Sequence, residues 1–206
     1  MATEELYTPG WDAITEAFET LYPDQKEPVH YAPLVGYRMG GNDPLDGISI
    51  YDGGDFYHFV TYGFSELYEK ESDHAAYSGY GFELTLQLRK DGIHKRDREQ
   101  KNVCGILQTL ARMSFENGDL YGPNEYIYTG QQSGIDADGT SAITGFVTAL
   151  DPLGEIRTPN GALQFVQLVG VTDSELHALM ERKLTVPELL AQIGSTLTDY
   201  KRTPVI

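Results

Sequence analysis

A single cysteine, Cys104, stands in a chain of 206 residues, so no internal disulfide can form and the fold must rest on packing and hydrogen bonds. No run approaches the roughly 18 consecutive apolar residues that a membrane-spanning helix needs, which excludes that role. The opening stretch MATEELYTPGWDAI has neither a basic start nor an apolar segment of signal length, so a reduced, cytoplasmic setting is expected. Basic residues are scarce: 15 Lys plus Arg face 31 Asp plus Glu, giving a formal charge of −16 that repels phosphate backbones and argues against a nucleic-acid partner.

Catalytic signatures are missing as well. There is no phosphate-cradling glycine-lysine loop and no nucleophile elbow, and SGYGFE lacks both the third glycine and the preceding strand of a dinucleotide fingerprint. His30, His58, His74, His94 and His177 show none of the close helical pairing common in zinc sites, and one cysteine cannot supply a thiolate cluster. No enzyme, cofactor or metal is read from these residues. The alternative, a metal-dependent or hydrolytic enzyme built from His58, His74 and the nearby acids Asp55 and Asp73, would require tertiary proximity that the sequence does not display.

What is present is enough to fold. Hydrophobic residues make up 40% and aromatics 11%, with 14 tyrosines, so the chain can pack a substantial core, and one domain over residues 1–206 is expected. Cys104 lies among apolar neighbours in NVCGILQTLARM and reads as a packed small hydrophobe. The one basic cluster holds Arg89, Lys90, Lys95, Arg96, Arg98 and Lys101. It is interrupted by Asp91, Asp97 and Glu99, the pattern of a solvated loop and helix start.

Two segments imitate metal loops. GGNDPLDGISIYDGGD crowds Asn42, Asp43, Asp46, Asp52 and Asp55 together, but in calcium-loop register Pro44 falls where a ligand belongs and Gly53 where the bidentate Glu belongs. Turn chemistry explains it better: Asp43-Pro44 and Asp46-Gly47 lead into a strand through side-chain bonds to the backbone and glycine's conformational freedom. GIDADGTS likewise lacks a downstream acid and reads as a solvated loop.

Periodicity gives the elements. TPGWDAITEAFETLYP places Trp11, Ile14, Phe18 and Leu21 at helical spacing after Thr8 and Pro9, a cap and a first helical residue. GISIYDGGDFYHFVTYGF alternates on both sides of Gly53-Gly54 and predicts a hairpin. In GFELTLQLRKDG, Phe82, Leu84, Leu86 and Leu88 share one face, and Glu83, Thr85, Gln87 and Arg89 the other, which must meet water or another layer. REQKNVCGILQTLARMSFENG predicts a helix stopping at Asn117-Gly118. EYIYTG, SAITGFVTAL and GALQFVQLVGV read as three strands separated by the turn-rich QQSGIDADGTS and DPLGEIRTPNG. Two short helices follow, each opened by a capping box, Thr172 with Glu175 and Thr185 with Glu188. The fold class is α+β, a mostly antiparallel mixed sheet flanked by helices.

One segment is unusual. In VTYGFSELYEKESDHAAYSGYGFELT, Tyr62, Phe64, Tyr68, Tyr77 and Tyr80 flank Glu66, Glu69, Glu71 and Asp73 in a connection between strands. Aromatics beside charge suit a binding surface, and Tyr62, Glu66, Tyr68, Glu69 and Asp73 are the candidate partner-binding residues.

GGNDPLDGISIY, HFVTYGFSELYEKESD, SGYGFELTLQL, LARMSFENG, TPNGALQFVQLVGVTDSELH and LTDYKR, in order from about Gly10 to Arg202, together resemble the Suppressor of fused domain. The resemblance implies an α+β domain that works by binding protein rather than by catalysis. In animal members such a domain joins a second one, and a peptide of a Gli-type transcription factor lies between them as an added strand, restraining Hedgehog signalling. This chain stops soon after LTDYKR, so Gli binding is not expected to carry over. Single-domain bacterial relatives are associated with toxin–immunity loci, which implies an immunity-like or scaffold role with a protein partner such as a toxin domain, as monomer or homodimer. Tyr68 matches the family tyrosine near the bound peptide, Asp73 corresponds to an acidic residue in the following loop, and Asp43, Pro44, Asp46 and Gly47 match a family motif of no known catalytic duty.

Overall fold

Along the chain, the computed structural model, which describes residues 7–206, runs α1 (Pro9–Leu21), β1 (Val29–Tyr31), a 3-10 turn (Tyr37–Met39), β2 (Gly47–Asp52), β3 (Phe56–Tyr62), β4 (Tyr77–Arg89), α2 (Arg96–Asn117), β5 (Tyr126–Ile127), β6 (Ile143–Thr158), β7 (Gly161–Thr172), α3 (Asp173–Met180) and α4 (Val186–Ile193). The reading of the N-terminus as free of a secretion signal rests in part on residues 1–6, outside the described range. Among the described residues no helix is long and apolar enough to cross a membrane.

All strands join one seven-stranded sheet in the order β1-β2-β3-β4-β7-β6-β5. Every pairing is antiparallel except the central one, β4 with β7, where Leu84 lies beside Val166. The expected mixed, mostly antiparallel α+β architecture is therefore present. Helices cover both faces, and β7 shows how: Val166 and Leu168 join a core with Val103, Leu107 and Leu110 of α2. Its alternate residues turn the other way. Leu163 and Phe165 pack with Ile14 and Phe18 of α1, and Val169 and Val171 with Leu176 of α3 and Leu189 of α4. The result is a three-layer sandwich with the sheet in the middle.

Local chemistry accounts for most boundaries. The β2–β3 hairpin turns at Gly53-Gly54, with Gly54 at φ 89° and its N–H donating to the Asp52 carboxylate. Asn117 ends α2, and Gly118 follows it in the left-handed conformation. Both C-terminal capping boxes form, the N–H groups of Thr172 and Thr185 donating to Glu175 and Glu188. The first helix differs. Thr8 donates to the Asp12 carboxylate rather than capping the backbone, because the N–H groups of Gly10 and Trp11 already donate to the Leu67 carbonyl, 3.0 and 3.2 Å away.

Two strands exceed the sequence reading. DPLGEIRTPNG, read as a turn-rich connection, is instead the second half of β6, which continues to Thr158. The Pro and Gly signals mark a bulge, the pairing with β7 shifting between Leu150 and Glu155 and Gly154 adopting φ 67°. β4 also starts earlier, at Tyr77, with a register shift before Phe82. The basic cluster is largely neutralised locally: Arg89 pairs with Asp55 and Asp199, Lys90 with Asp52, Arg96 with Asp97 and Arg98 with Asp138. Cys104 is buried against the sheet, and burial pushes its thiol up to about 12.

The polar face of β4 meets a layer, not water. Glu83 is fully buried. Its Oε1 accepts from the N–H groups of Gly63 (3.0 Å) and Ser65 (2.9 Å) and the Ser65 hydroxyl (2.6 Å), and its Oε2 lies 2.6 Å from the Thr61 hydroxyl. Burial pushes its carboxyl up to about 7, only partly offset by the hydrogen bonds from Ser65 and Thr61. Protonation at Oε2 lets it donate to Thr61 Oγ1, while Thr61 donates to the Leu84 carbonyl at 3.2 Å. At the other end of the sheet, Glu175 is fully buried and Arg202 reaches it with two contacts, 2.7 and 2.6 Å, tying the C-terminal segment to α3.

A carboxyl raised from 4.5 to about 7 in the folded state binds a proton that the unfolded chain has lost, so its stabilisation is complete below pH 4.5 and gone above about 7. Urea unfolding across that window is expected to lose about 3 kcal/mol in the wild type relative to Glu83→Gln, whose amide reproduces the protonated hydrogen-bond pattern. Arg202→Ala strands Glu175 in the core and is expected to cost about 3 kcal/mol, read as a lower urea midpoint at unchanged m value.

Candidate functional site

The connection from β3 to β4 folds back over one end of the sheet and, with the 3-10 turn, the end of α2 and the residues before β2, encloses a cleft of about 530 Å³. A second depression of about 480 Å³ continues from it, sharing Arg38, Asp46, Tyr68, Glu69 and Glu71 and extending to Met39. Tyr68 belongs to both.

The loop that carries Tyr68 is held from three sides. Leu67 accepts the backbone donors of α1 described above, Asn160 in the β6–β7 turn donates to the carbonyls of Glu66 (2.8 Å) and Tyr68 (2.9 Å), and Ser78 Oγ accepts from the Glu66 N–H (2.9 Å). The approach of α1 is close enough to require glycine, since a Cβ on Gly10 would sit 2.1 Å from the Glu66 carbonyl oxygen. The Glu66 carboxylate then organises the loop from inside, accepting from Lys70 Nζ (2.7 Å) and from the N–H groups of Glu71 (2.7 Å), Ser72 (2.5 Å) and Gly79 (3.0 Å). Burial raises its pKa, but Lys70 and these backbone donors outweigh that and hold it at about 2.

Tyr68 is half-buried, its hydroxyl facing the Asp46 carboxylate and its ring 5.8 Å from the Arg38 guanidinium. Arg38 also pairs with Glu71 at 2.8 Å. Burial raises the pKa of Asp46 against the opposing pull of Tyr68 and Arg38. Burial, then the Asp46 charge, raises that of Tyr68. Toward solvent lie Glu69, Glu71 and His74, and an aromatic wall of Tyr37, Tyr80 and Phe115, with Phe115 5.4 Å from Tyr37 and 5.2 Å from Tyr80. The arrangement offers a rigid aromatic and carboxylate surface, with no nucleophile beside a base.

Of the sequence-nominated residues, Glu66, Tyr68 and Glu69 line this cleft. Asp73 is exposed but stands outside its lining. Tyr62 is a correction: it is 1% exposed and stacks on Trp11 at 4.4 Å, because it closes β3 on the side that α1 covers. Glu66 reaches the cleft with its charge already spent on the loop's own donors. Arg38, the cation set against this acidic surface, was missed, since YRMGG carries no pattern that places it beside Tyr68. Asp46 was read only as a turn former.

The alternative enzyme residues do not converge. His58 is fully buried, one ring nitrogen 2.8 Å from the Tyr22 hydroxyl and the other 3.1 Å from Asp151, which also accepts from Thr85 at 2.8 Å. Burial raises the pKa of Asp151, and His58, the Leu153 N–H and Thr85 more than offset it, leaving the group lowered. His74 is exposed at the cleft, and Asp55 pairs with Arg89. Among the described residues, no three His, Cys, Asp or Glu side chains group as metal ligands.

The sequence matches the family model described as Suppressor of fused protein (SUFU) over residues 41–203. Suppressor of fused homologs of Mus musculus and Homo sapiens are each 30% identical over 219 aligned residues, covering 96% of this chain and 44% of theirs, so the chain spans less than half the length of these curated relatives. Among solved structures, a chain of the Sufu-Fu complex crystal structure aligns with a TM-score of 0.82 at 29% identity, covering 97% of this chain and 93% of that one. Drosophila Suppressor of Fused aligns at 0.80 and 27% identity, covering 97% of this chain and 52% of that one. The family model spans most of the chain, and the chain belongs to the Suppressor of fused family.

Proposed function

We propose that this chain is a non-enzymatic protein-binding domain that grips a basic protein partner at the Tyr68 cleft. The cleft carries this reading: a half-buried tyrosine, fixed in a clamped loop, is flanked by the exposed carboxylates of Glu69 and Glu71. A partner segment offering Lys or Arg next to an apolar anchor fits both features, and a net charge of −16 favours steered, salt-sensitive association. A family relative crystallised in the Sufu-Fu complex supports a protein as the partner class. An immunity-like or scaffold role in the cytoplasm, with a toxin domain as the neutralised partner, is the specific form of this reading.

The test is capture of a protein partner from the native host at low salt, followed by binding measurements on variants. Tyr68→Ala is expected to weaken the complex at least tenfold while shifting the thermal midpoint by no more than a few degrees. Glu69→Lys is expected to slow association more than it speeds dissociation, the difference shrinking as salt is added. A Tyr68→Ala protein that binds normally, or one that unfolds as readily as it loses its partner, would overturn the assignment of this cleft.

A further inference from the structure

The second half of β6 is an open sheet edge. Strand β5 pairs with β6 only at Phe146 and Val147, so past the bulge residues 155–158 have β7 on one side and, among the described residues, no strand on the other. An open edge presents backbone donors and acceptors to any strand that can meet them.

The register tells which groups face out. Ala162, opposite Arg157, donates its N–H to the Ala76 carbonyl on the far side of β7, so Arg157 and Ala162 form a non-hydrogen-bonded pair. Pairing is regular from Glu155 to Thr158, and alternation makes Glu155 with Gln164 a pair of the same kind. The N–H and C=O groups of Glu155 and Arg157 therefore point away from β7, and those of Ile156 toward it. The side chains alternate between the two faces of the sheet. Ile156 packs against the core that holds Ile14 and Phe18 of α1, while Glu155 and Arg157 are exposed on the opposite face. Among the described residues neither charge enters an ion pair, although Arg38, Arg89, Arg96, Arg98, Arg112 and Arg202 all do.

We infer that this edge pairs with the same edge of a second copy of the chain, antiparallel across a twofold axis at Ile156, to form a homodimer. In that register Glu155 of each copy lies opposite Arg157 of the other, and these two residues exchange their outward N–H and C=O bonds. Ile156 meets its counterpart as the non-hydrogen-bonded pair, in which side chains approach most closely. Charge selects the register, because centring the axis on Glu155 or on Arg157 sets that residue against its own like charge. Pro152 and Pro159, with no N–H to donate, bound the paired segment. The helix above leaves room: α1 turns Trp11 and Thr15 toward Tyr62 of β3, so the small residues Ala13 and Ala17 lie on its other flank, toward β6. The two β6–β7 turns point in opposite directions, and since Asn160 in each clamps its own Tyr68 loop, the two clefts sit at opposite ends of the dimer.

Sedimentation equilibrium of the full chain in roughly 0.15 M salt tests this, since screening over about 8 Å removes most of the long-range repulsion between two acidic copies and spares ion pairs in contact. The wild type is expected to pass from monomer to dimer between about 10 µM and about 1 mM, as suits an interface of few residues. Glu155→Arg sets Arg against Arg and is expected to weaken the dimer at least about tenfold, even though it makes the chain less acidic. Arg157→Glu sets Glu against Glu, with the same result. An equimolar mixture of the two variants restores opposite charges and is expected to form a heterodimer within about threefold of the wild-type affinity. Both substitutions lie on the surface, and the thermal midpoints are expected to move by no more than a few degrees. In hydrogen exchange, the Glu155 and Arg157 amides are expected to gain protection as concentration rises, while the Ile156 amide, already bonded to β7, does not change. The inference is overturned if the wild type stays monomeric at about 1 mM, if either single variant dimerises as well as the wild type, or if the mixture associates no better than its components.

Discussion

A strand in the middle of a three-layer sandwich loses water from both faces, so each polar residue at alternate positions of β4 must find its partner inside the protein. Glu83 takes the donors of Gly63 and Ser65 and shares a hydrogen bond with the Thr61 hydroxyl, and Thr85 donates to Asp151. Asp151 lies in the β6 register shift between Leu150 and Glu155, and the same carboxylate bonds to His58, which in turn bonds to the Tyr22 hydroxyl at the end of α1. The bulge, the buried histidine and the end of the first helix are thus joined through one carboxylate. Such a seam of satisfied polar groups specifies a single register for the sheet, because a one-residue slip would turn Glu83 toward Val103 and Leu107 of α2 and send Leu84 and Leu86 to the opposite face.

The same seam shapes the cleft. Gly63 and Ser65, the residues that Glu83 holds, are the first turn of the connection that lines the Tyr68 cleft. A few residues later Glu66 repeats the device with the opposite electrostatic outcome, Lys70 and the backbone donors holding its pKa at about 2 where full burial raises that of Glu83 to about 7. Clamped by α1 and by Asn160, Tyr68 has little freedom left to lose on binding, which is how a loop can serve as a rigid anchor.

Much of this was legible in the residues. Helical and strand periodicity located α1, α2, the β2–β3 hairpin and both capping boxes, because those features are set by neighbours within a turn or two. The extension of β6 was not legible: Pro152 and Gly154 are turn residues by local rules, and the pairing with β7 that carries the strand past them is set by residues distant in sequence. Tyr62 and Tyr68 stand six residues apart in the same aromatic run, yet one is sealed under Trp11 and the other lines the cleft. That difference depends on where α1 lands, which composition cannot reveal. Arg38 and Asp46 were invisible as a site for the same reason, since they meet Tyr68 only through tertiary packing.

Helix α2 fixes one wall of the cleft. Its last residues put Phe115 into the lining, and Gln108 and Arg112 reach across to Leu45 and Asp43, pinning the segment that carries Asp46. Because the buried stripe of α2 is packed against β4 and β7, the helix cannot shift toward the cleft without disrupting that core. The cleft is therefore pre-formed, and the proposed preference for a cationic protein surface rests on carboxylates and tyrosines already set toward solvent.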